Sequence, residues 1–156
     1  MRALVDTNVV LDVLLAREGH VQPAARLHAR VDDGTVEGVL CATTLTTVHY
    51  LFAKSVGRKR AGQLVQTLLV LFDVAPVDAA VLARAVDRGG SDFEDAVITE
   101  AALAAGARVI VTRDGSGFRR APLPCVTPEE FLATVAVLED HVEVVTLVPA
   151  GGEAAE

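Results

Sequence analysis

Short, largely apolar runs at residues 3–5, 36–41, 74–77, 108–112 and 124–126 punctuate this chain, and helix-length segments fill most of the space between them. That rhythm constrains the fold more than any other feature. A strand buried on both faces reads as a continuous apolar run, and successive parallel strands need a crossover long enough to hold a helix. The alternation therefore predicts an α/β domain whose parallel sheet is covered on both faces. In such a sheet the strand C-termini and helix N-termini share one edge, where residues about a hundred positions apart in sequence meet.

The acids fall on that edge. Asp6 follows the first run, Asp114 follows the fourth, and Asp95 opens the helix leading into the fourth. Two carboxylates ~4 Å apart repel by about 4 kcal/mol at an effective dielectric near 20. A hard divalent cation such as Mg2+ or Mn2+, which prefers oxygen ligands, is the usual remedy. Each acid also has a purely structural reading: a helix cap for Asp6, dipole compensation for Asp92 and Asp95, a turn before Gly115 for Asp114. Taken singly these suffice, but they do not explain why three acids converge. The pattern points first to a small metal-dependent enzyme.

At 156 residues the chain is expected to form one domain over residues 1–148, with a disordered tail at 149–156. Apolar residues make up 51% of it and aromatics only 4%, so the core should be built from Val, Leu and Ala. The apolar excess suggests a surface covered by a second copy, a homodimer. No run reaches the ~18 apolar residues of a membrane span. No secretory signal is visible, and Cys41 and Cys125 are too few for a disulfide framework, which together suggest a reducing cytoplasm. A net charge of −7 argues against loose adhesion to nucleic acid but permits a local basic rim.

Local signals set the helices. Thr7-Asn8 offers cap chemistry to the first, Pro23 suits the first turn of the second, and Thr43 and Thr44 can cap the third. Arg58-Lys59-Arg60 opens the fourth, and residues 78–86 form a fifth, closed by Gly89-Gly90. Ser91 and Glu94 make a Ser-x-x-Glu capping box, which puts Asp92 and Asp95 on one helical face. Thr127-Pro128-Glu129-Glu130 is a strong start for the last helix. Residues 142–148 alternate like an added strand, and Asp12 is expected on an exposed helix face. His20, His28, His49 and His141 show no metal-ligand spacing.

The segments VDTNVVLDVLL, DFEDAVITEAALAAGARVIVTRD and CVTPEEFL resemble the PIN-domain family of metal-dependent ribonucleases, especially its small prokaryotic members, many of them toxins of the VapBC type. The likeness runs from Val5 to about Leu132. It implies a three-layer α/β/α sandwich and an endoribonuclease that hydrolyses phosphodiester bonds in RNA with Mg2+ or Mn2+. It further implies that Asp6, Asp95 and Asp114 are catalytic and metal-binding, with Asp92 as an adjunct at the metal. Thr7, Asn8, Thr47 and Thr112 would support the carboxylates or waters from behind. An antitoxin partner would neutralise the acidic pocket with a basic segment.

Two departures from the family pattern stand out. Thr47 occupies the place of a common glutamate, as in a subgroup with a small polar residue there, and the usual Asp-Phe after the Thr-x-Asp turn reads Ser116-Gly117-Phe118. These changes keep open an alternative, a noncatalytic PIN-like module that binds RNA or protein. An aspartyl-phosphate receiver or phosphatase ranks below both, because a nucleophilic aspartate after a middle strand and the partnering lysine are both lacking. Arg113, Arg119 and Arg120 are candidates for holding substrate phosphates, with a solvated loop as the competing reading. Lys54 and the 58–60 cluster read as solvated, and Tyr50 and Phe118 as core packing rather than base-stacking groups.

Overall fold

The computed structural model describes residues 1–90 and 92–147. Five strands, β1 (Arg2–Val5), β2 (Glu37–Cys41), β3 (Asp73–Ala75), β4 (Val109–Val111) and β5 (Cys125–Val126), form one parallel sheet in the order β3-β2-β1-β4-β5. The first strand lies in the middle because it is flanked by β2 on one side and β4 on the other, with Leu4 opposite both Val39 and Ile110. The helices are α1 (Thr7–Leu14), α2 (Val21–Asp32), α3 (Ala42–Val56), α4 (Arg58–Leu71), α5 (Ala79–Arg88), α6 (Phe93–Ala104) and α7 (Pro128–Leu147).

Alternation along each strand divides the interior into two cores. Ala3 and Val5 face a core completed by Val9, Leu27, Val48, Leu68 and Phe131, which come from α1, α2, α3, α4 and α7. Leu4 and Ile110 face the other way, onto Val81 and Ala85 of α5 and Ala96, Val97 and Ala101 of α6. The result is the expected three-layer α/β/α sandwich around a parallel sheet. Leu4 and Ile110 are fully buried, and each contributes about 2 kcal/mol or more through removal of apolar surface from water. Gly38 lets β2 approach its cover, since a Cβ there would fall 2.6 Å from the Phe72 ring and 2.7 Å from Val31.

Several local expectations need correction. The strand expected at 142–148 does not form: α7 runs on to Leu147, because a helix started by a good capping box propagates more cheaply than a new strand nucleates. That box is intact, with Thr127 N donating to Glu130 Oε2 at 2.8 Å and Glu130 N to Thr127 Oγ1 at 3.2 Å. Residue 148 and the tail at 149–156 lie outside the described residues. Asp6 rather than Thr7-Asn8 caps α1, and α3 starts directly from Cys41 at the end of β2 without a side-chain cap. Asp92 caps α6 by accepting from Glu94 N at 2.8 Å and Asp95 N at 3.4 Å, while Ser91 lies outside the described residues. Among the described residues no helix is long and apolar enough to cross a membrane.

Candidate active site

The chain leaves β1 toward β2 on one side and reaches β4 on the other, so the order of connections reverses between β1 and β4. Helices following neighbouring strands there diverge to opposite faces of the sheet, and the crevice at the carboxyl ends is the usual ligand site of open α/β sheets. Asp6 sits one residue beyond β1, and Thr112, Arg113 and Asp114 follow β4.

Asp6 is 6% exposed and fully engaged. Its Oδ1 accepts from Thr7 N at 2.7 Å, and its Oδ2 accepts from Asn8 Nδ2 at 2.7 Å and from Thr112 Oγ1 at 2.8 Å. Burial raises its pKa above the ordinary carboxylate value, and the bonds from Thr112 and Thr7 work against that rise. Thr112 Oγ1 in turn accepts from Asp114 N at 3.2 Å, and Asn8 Oδ1 accepts from Arg113 N at 3.2 Å. Thr7, Asn8 and Thr112 therefore link the β1 edge to the β4 turn. Thr44 of α3 extends this frame through a 2.9 Å hydroxyl–hydroxyl bond to Thr7. Thr47, one turn further along, is half-buried, and its side chain makes no hydrogen bond among the described residues.

Asp95 differs sharply. It occupies the first turn of α6 and its carboxylate has no hydrogen bond or ion pair among the described residues. Its pKa is pushed up to about 6, first by burial and then by the negative charges of Asp92, Asp6, Glu94 and Asp114. Four acids thus act on one carboxylate, although no three His, Cys, Asp or Glu side chains among the described residues are gathered into a ready-made ion cage. Gly117 packs directly on Asp95, where a Cβ would collide with Oδ2. Asp114 caps the 3-10 turn at Gly115–Phe118 by accepting from Ser116 N at 2.9 Å. That bond, helped by Arg119, holds its pKa below the ordinary value.

Two expectations about charges are overturned together. Asp12 is not exposed but fully buried, with its Oδ2 2.8 Å from Arg113 Nε and its Oδ1 3.4 Å from Arg17 Nη1. Arg113 therefore points to α1 as an internal counter-ion rather than serving as a free phosphate ligand. The i, i+4 pair Asn8 and Asp12 grips Arg113 by its main-chain N–H and its side chain together. Tyr50, expected in the core, is 60% exposed with the Lys54 ammonium 4.1 Å from its ring centroid, whereas Phe118 is buried as expected. Cys41 is buried and Cys125 half-buried, and both are free thiols. His28 packs edge-on against Phe72 with ring centroids 5.2 Å apart, away from the acids.

Residues 2–116 match a family model described as the PIN domain. No curated protein matches in sequence. Solved structures with the same fold include a toxin-antitoxin complex from Klebsiella pneumoniae, at 21% identity and a TM-score of 0.62 over 81% of this chain and 97% of that one. FitAcB from Neisseria gonorrhoeae aligns at 21% identity and a TM-score of 0.61 over 81% of this chain and 98% of that one. VapC20 from Mycobacterium tuberculosis, described as a sarcin-ricin loop cleaving toxin, aligns at 19% identity and a TM-score of 0.59 over 74% and 92%. With most of its length matched by that model and its acids set on the edge of a five-stranded parallel sheet, the chain belongs to the PIN domain family.

Proposed function

We propose that this protein is a metal-dependent endoribonuclease, acting as the toxin of a toxin–antitoxin pair. The observation that carries the reading is the Asp95 carboxylate, held without an internal partner in the field of Asp92, Asp6, Glu94 and Asp114. A protein that needed these acids only for stability would pair them, as it pairs Asp12. An oxygen-only donor set with unbalanced negative charge fits a hard divalent cation, Mg2+ or Mn2+. Asp6, Asp95 and Asp114 would hold it, with Asp92 in support. When bound, such an ion lowers the pKa of a water and neutralises charge developing on the phosphate.

The remaining chemistry belongs to the chain. Asp6 is fixed by Thr7, Asn8 and Thr112 and so presents its charge without rearrangement. Asp95, whose carboxylate takes no hydrogen bond from the described residues, would orient the attacking water or accept its proton as the water oxygen bonds to phosphorus. The P–O bond to the departing ribose oxygen then breaks, and that oxygen leaves with a proton from solvent. Asp114 is oriented by Ser116 N and steadies the same edge.

Fold relatives that are a toxin-antitoxin complex and a cleaving toxin support the biological part of the reading, including an antitoxin partner, which would neutralise the acids with a basic segment. Leu69, Val70 and Val74, exposed at 50%, 91% and 37%, support a homodimer that would cover them. The cytoplasm fits both assignments. The test is cleavage of single-stranded RNA by the wild type and Asp6→Asn across a titration of Mg2+ and Mn2+. The expected result is ion-dependent cleavage lost by ~10²–10³-fold in the variant, the scale on which a missing charge-stabilising group acts. Absence of cleavage by the wild type with either ion would instead leave a binding module.

A further inference from the structure

A cleft of about 380 Å³ opens beside the acids, between the end of α5, the start of α6 and the loop after the 3-10 turn. Its volume suits a nucleotide-sized group. Asp92, Ser116 and Gly117 line it, Gly117 being packed on Asp95, and so do Arg88, Arg119 and Arg120. The three arginines are not equivalent. Arg88 donates from Nε to Glu100 Oε1 at 2.7 Å, and Glu100, 4% exposed, also takes Arg84 Nε at 3.0 Å. The charge of Arg88 is thus answered inside the protein, and its Nη1 holds the Arg120 carbonyl at 2.8 Å. Arg88 is a wall that fixes the loop.

Arg119 and Arg120 are exposed, and neither has a carboxylate within ion-pair distance among the described residues. Arg120 donates only to the Arg88 carbonyl, at 3.4 Å, and Arg119 makes no side-chain hydrogen bond among the described residues. Arg113, by contrast, is committed to Asp12. In a chain of net charge −7, two exposed guanidinium groups without an ion-pair partner among the described residues, Arg119 acting on Asp114 only through its field, line a cleft whose wall includes Gly117, packed on Asp95, and mark an anion site. Guanidinium forks match phosphate oxygens in shape as well as charge.

We infer that this cleft binds a backbone phosphate of the RNA strand adjoining the one hydrolysed, with Arg119 and Arg120 as its cations and Arg88 as the positioning residue behind them. The identity of the strand rests on the ribonuclease reading. RNA supplies one phosphate for the arginines and a neighbouring one for the acids beside the cleft, which an acidic peptide does not. Bound this way, the strand is registered by its neighbour phosphate before the reacting one is in place.

The experiment compares wild type with an Arg119→Ala/Arg120→Ala double variant, whose changed side chains are both exposed. A labelled single-stranded RNA serves both steady-state cleavage and fluorescence anisotropy, and anisotropy uses an Asp6→Asn background to prevent turnover. The expected result is a KM about tenfold higher with kcat within about twofold, weaker RNA binding, and a salt dependence reduced by about one phosphate contact. Unchanged KM and RNA affinity would overturn the proposal, as would a loss confined to kcat. Unchanged RNA binding combined with lost retention of an acidic partner protein would overturn it in favour of a protein site. If the wild type cuts no RNA, the ribonuclease reading fails, yet anisotropy still decides the cleft: equal affinity in both proteins, or no binding by either, refutes it.

Discussion

Asp6 and Asp95 belong to one acidic edge, yet the carboxylate of Asp6 accepts three hydrogen bonds while that of Asp95 accepts none among the described residues. The Asp6 side is built into the sheet: its partners Thr7 and Asn8 start α1, and Thr112 follows β4. The Asp95 side is borne by a helix start, capped by Asp92 and pressed by the bare backbone of Gly117. One side is rigid and its charge is satisfied; the other keeps a charge in reserve. The difference teaches that the protein invests its internal polar bonds in holding the frame and leaves the Asp95 carboxylate open, an arrangement in which stability is given up locally.

The largest test of that contrast removes a strut of the rigid side. Arg113→Met leaves the buried Asp12 carboxylate with only Arg17 at 3.4 Å, and stripping one partner from a buried pair costs about 3 kcal/mol. Denaturant melts should show that loss. Impaired RNA cleavage with unaltered stability would instead make Arg113 a substrate ligand and erase the distinction from Arg119. Next, Thr112→Val deletes the bond to Asp6 Oδ2 while keeping side-chain shape, and should cost roughly 2 kcal/mol as one buried acceptor loses a donor. A variant as stable as wild type would mean that the frame around Asp6 is less rigid than its hydrogen bonds indicate.

The smallest effect has the opposite sign. With its folded pKa raised to about 6, Asp95 binds a proton more tightly in the folded state than in the unfolded one. Its contribution to stability is present below about pH 4 and is lost as pH rises through about 6. In chelator, Asp95→Asn should therefore be more stable than wild type at pH 7 by roughly 1–2 kcal/mol after allowance for solvent screening, and the gap should close toward pH 4. Equal stability across that range would show that Asp95 carries no reserve of charge.

Much of the frame was legible because it is written in local patterns. Continuous apolar runs located β1, β2, β4 and β5, and Thr127 to Glu130 announced α7 by a box that forms as read. Where two local signals competed, the reading slipped. Alternation at 142–147 lost to the momentum of a helix already under way, and Asp92 took the cap expected of the Ser91–Glu94 box. Asp12 and Arg113 were misread for another reason. An aspartate in a helix carries no local mark of burial when its counter-ion arrives from the turn after a different strand. The closeness of Gly117 to Asp95, and the pairing of Glu100 with Arg84 and Arg88, were equally silent.

By itself the sequence determined the layers and the edge. Backbone hydrogen bonding and side-chain periodicity are local, and they force apolar strands and amphipathic helices into a covered parallel sheet with acids at its carboxyl end. Only the tertiary structure decided which charges are spent and which are free. Electrostatic pairing depends on distances between residues far apart in the chain, so Arg113 and Arg119, nearly neighbours in sequence, come to opposite ends: one is bound to Asp12, the other open at the cleft beside Asp95.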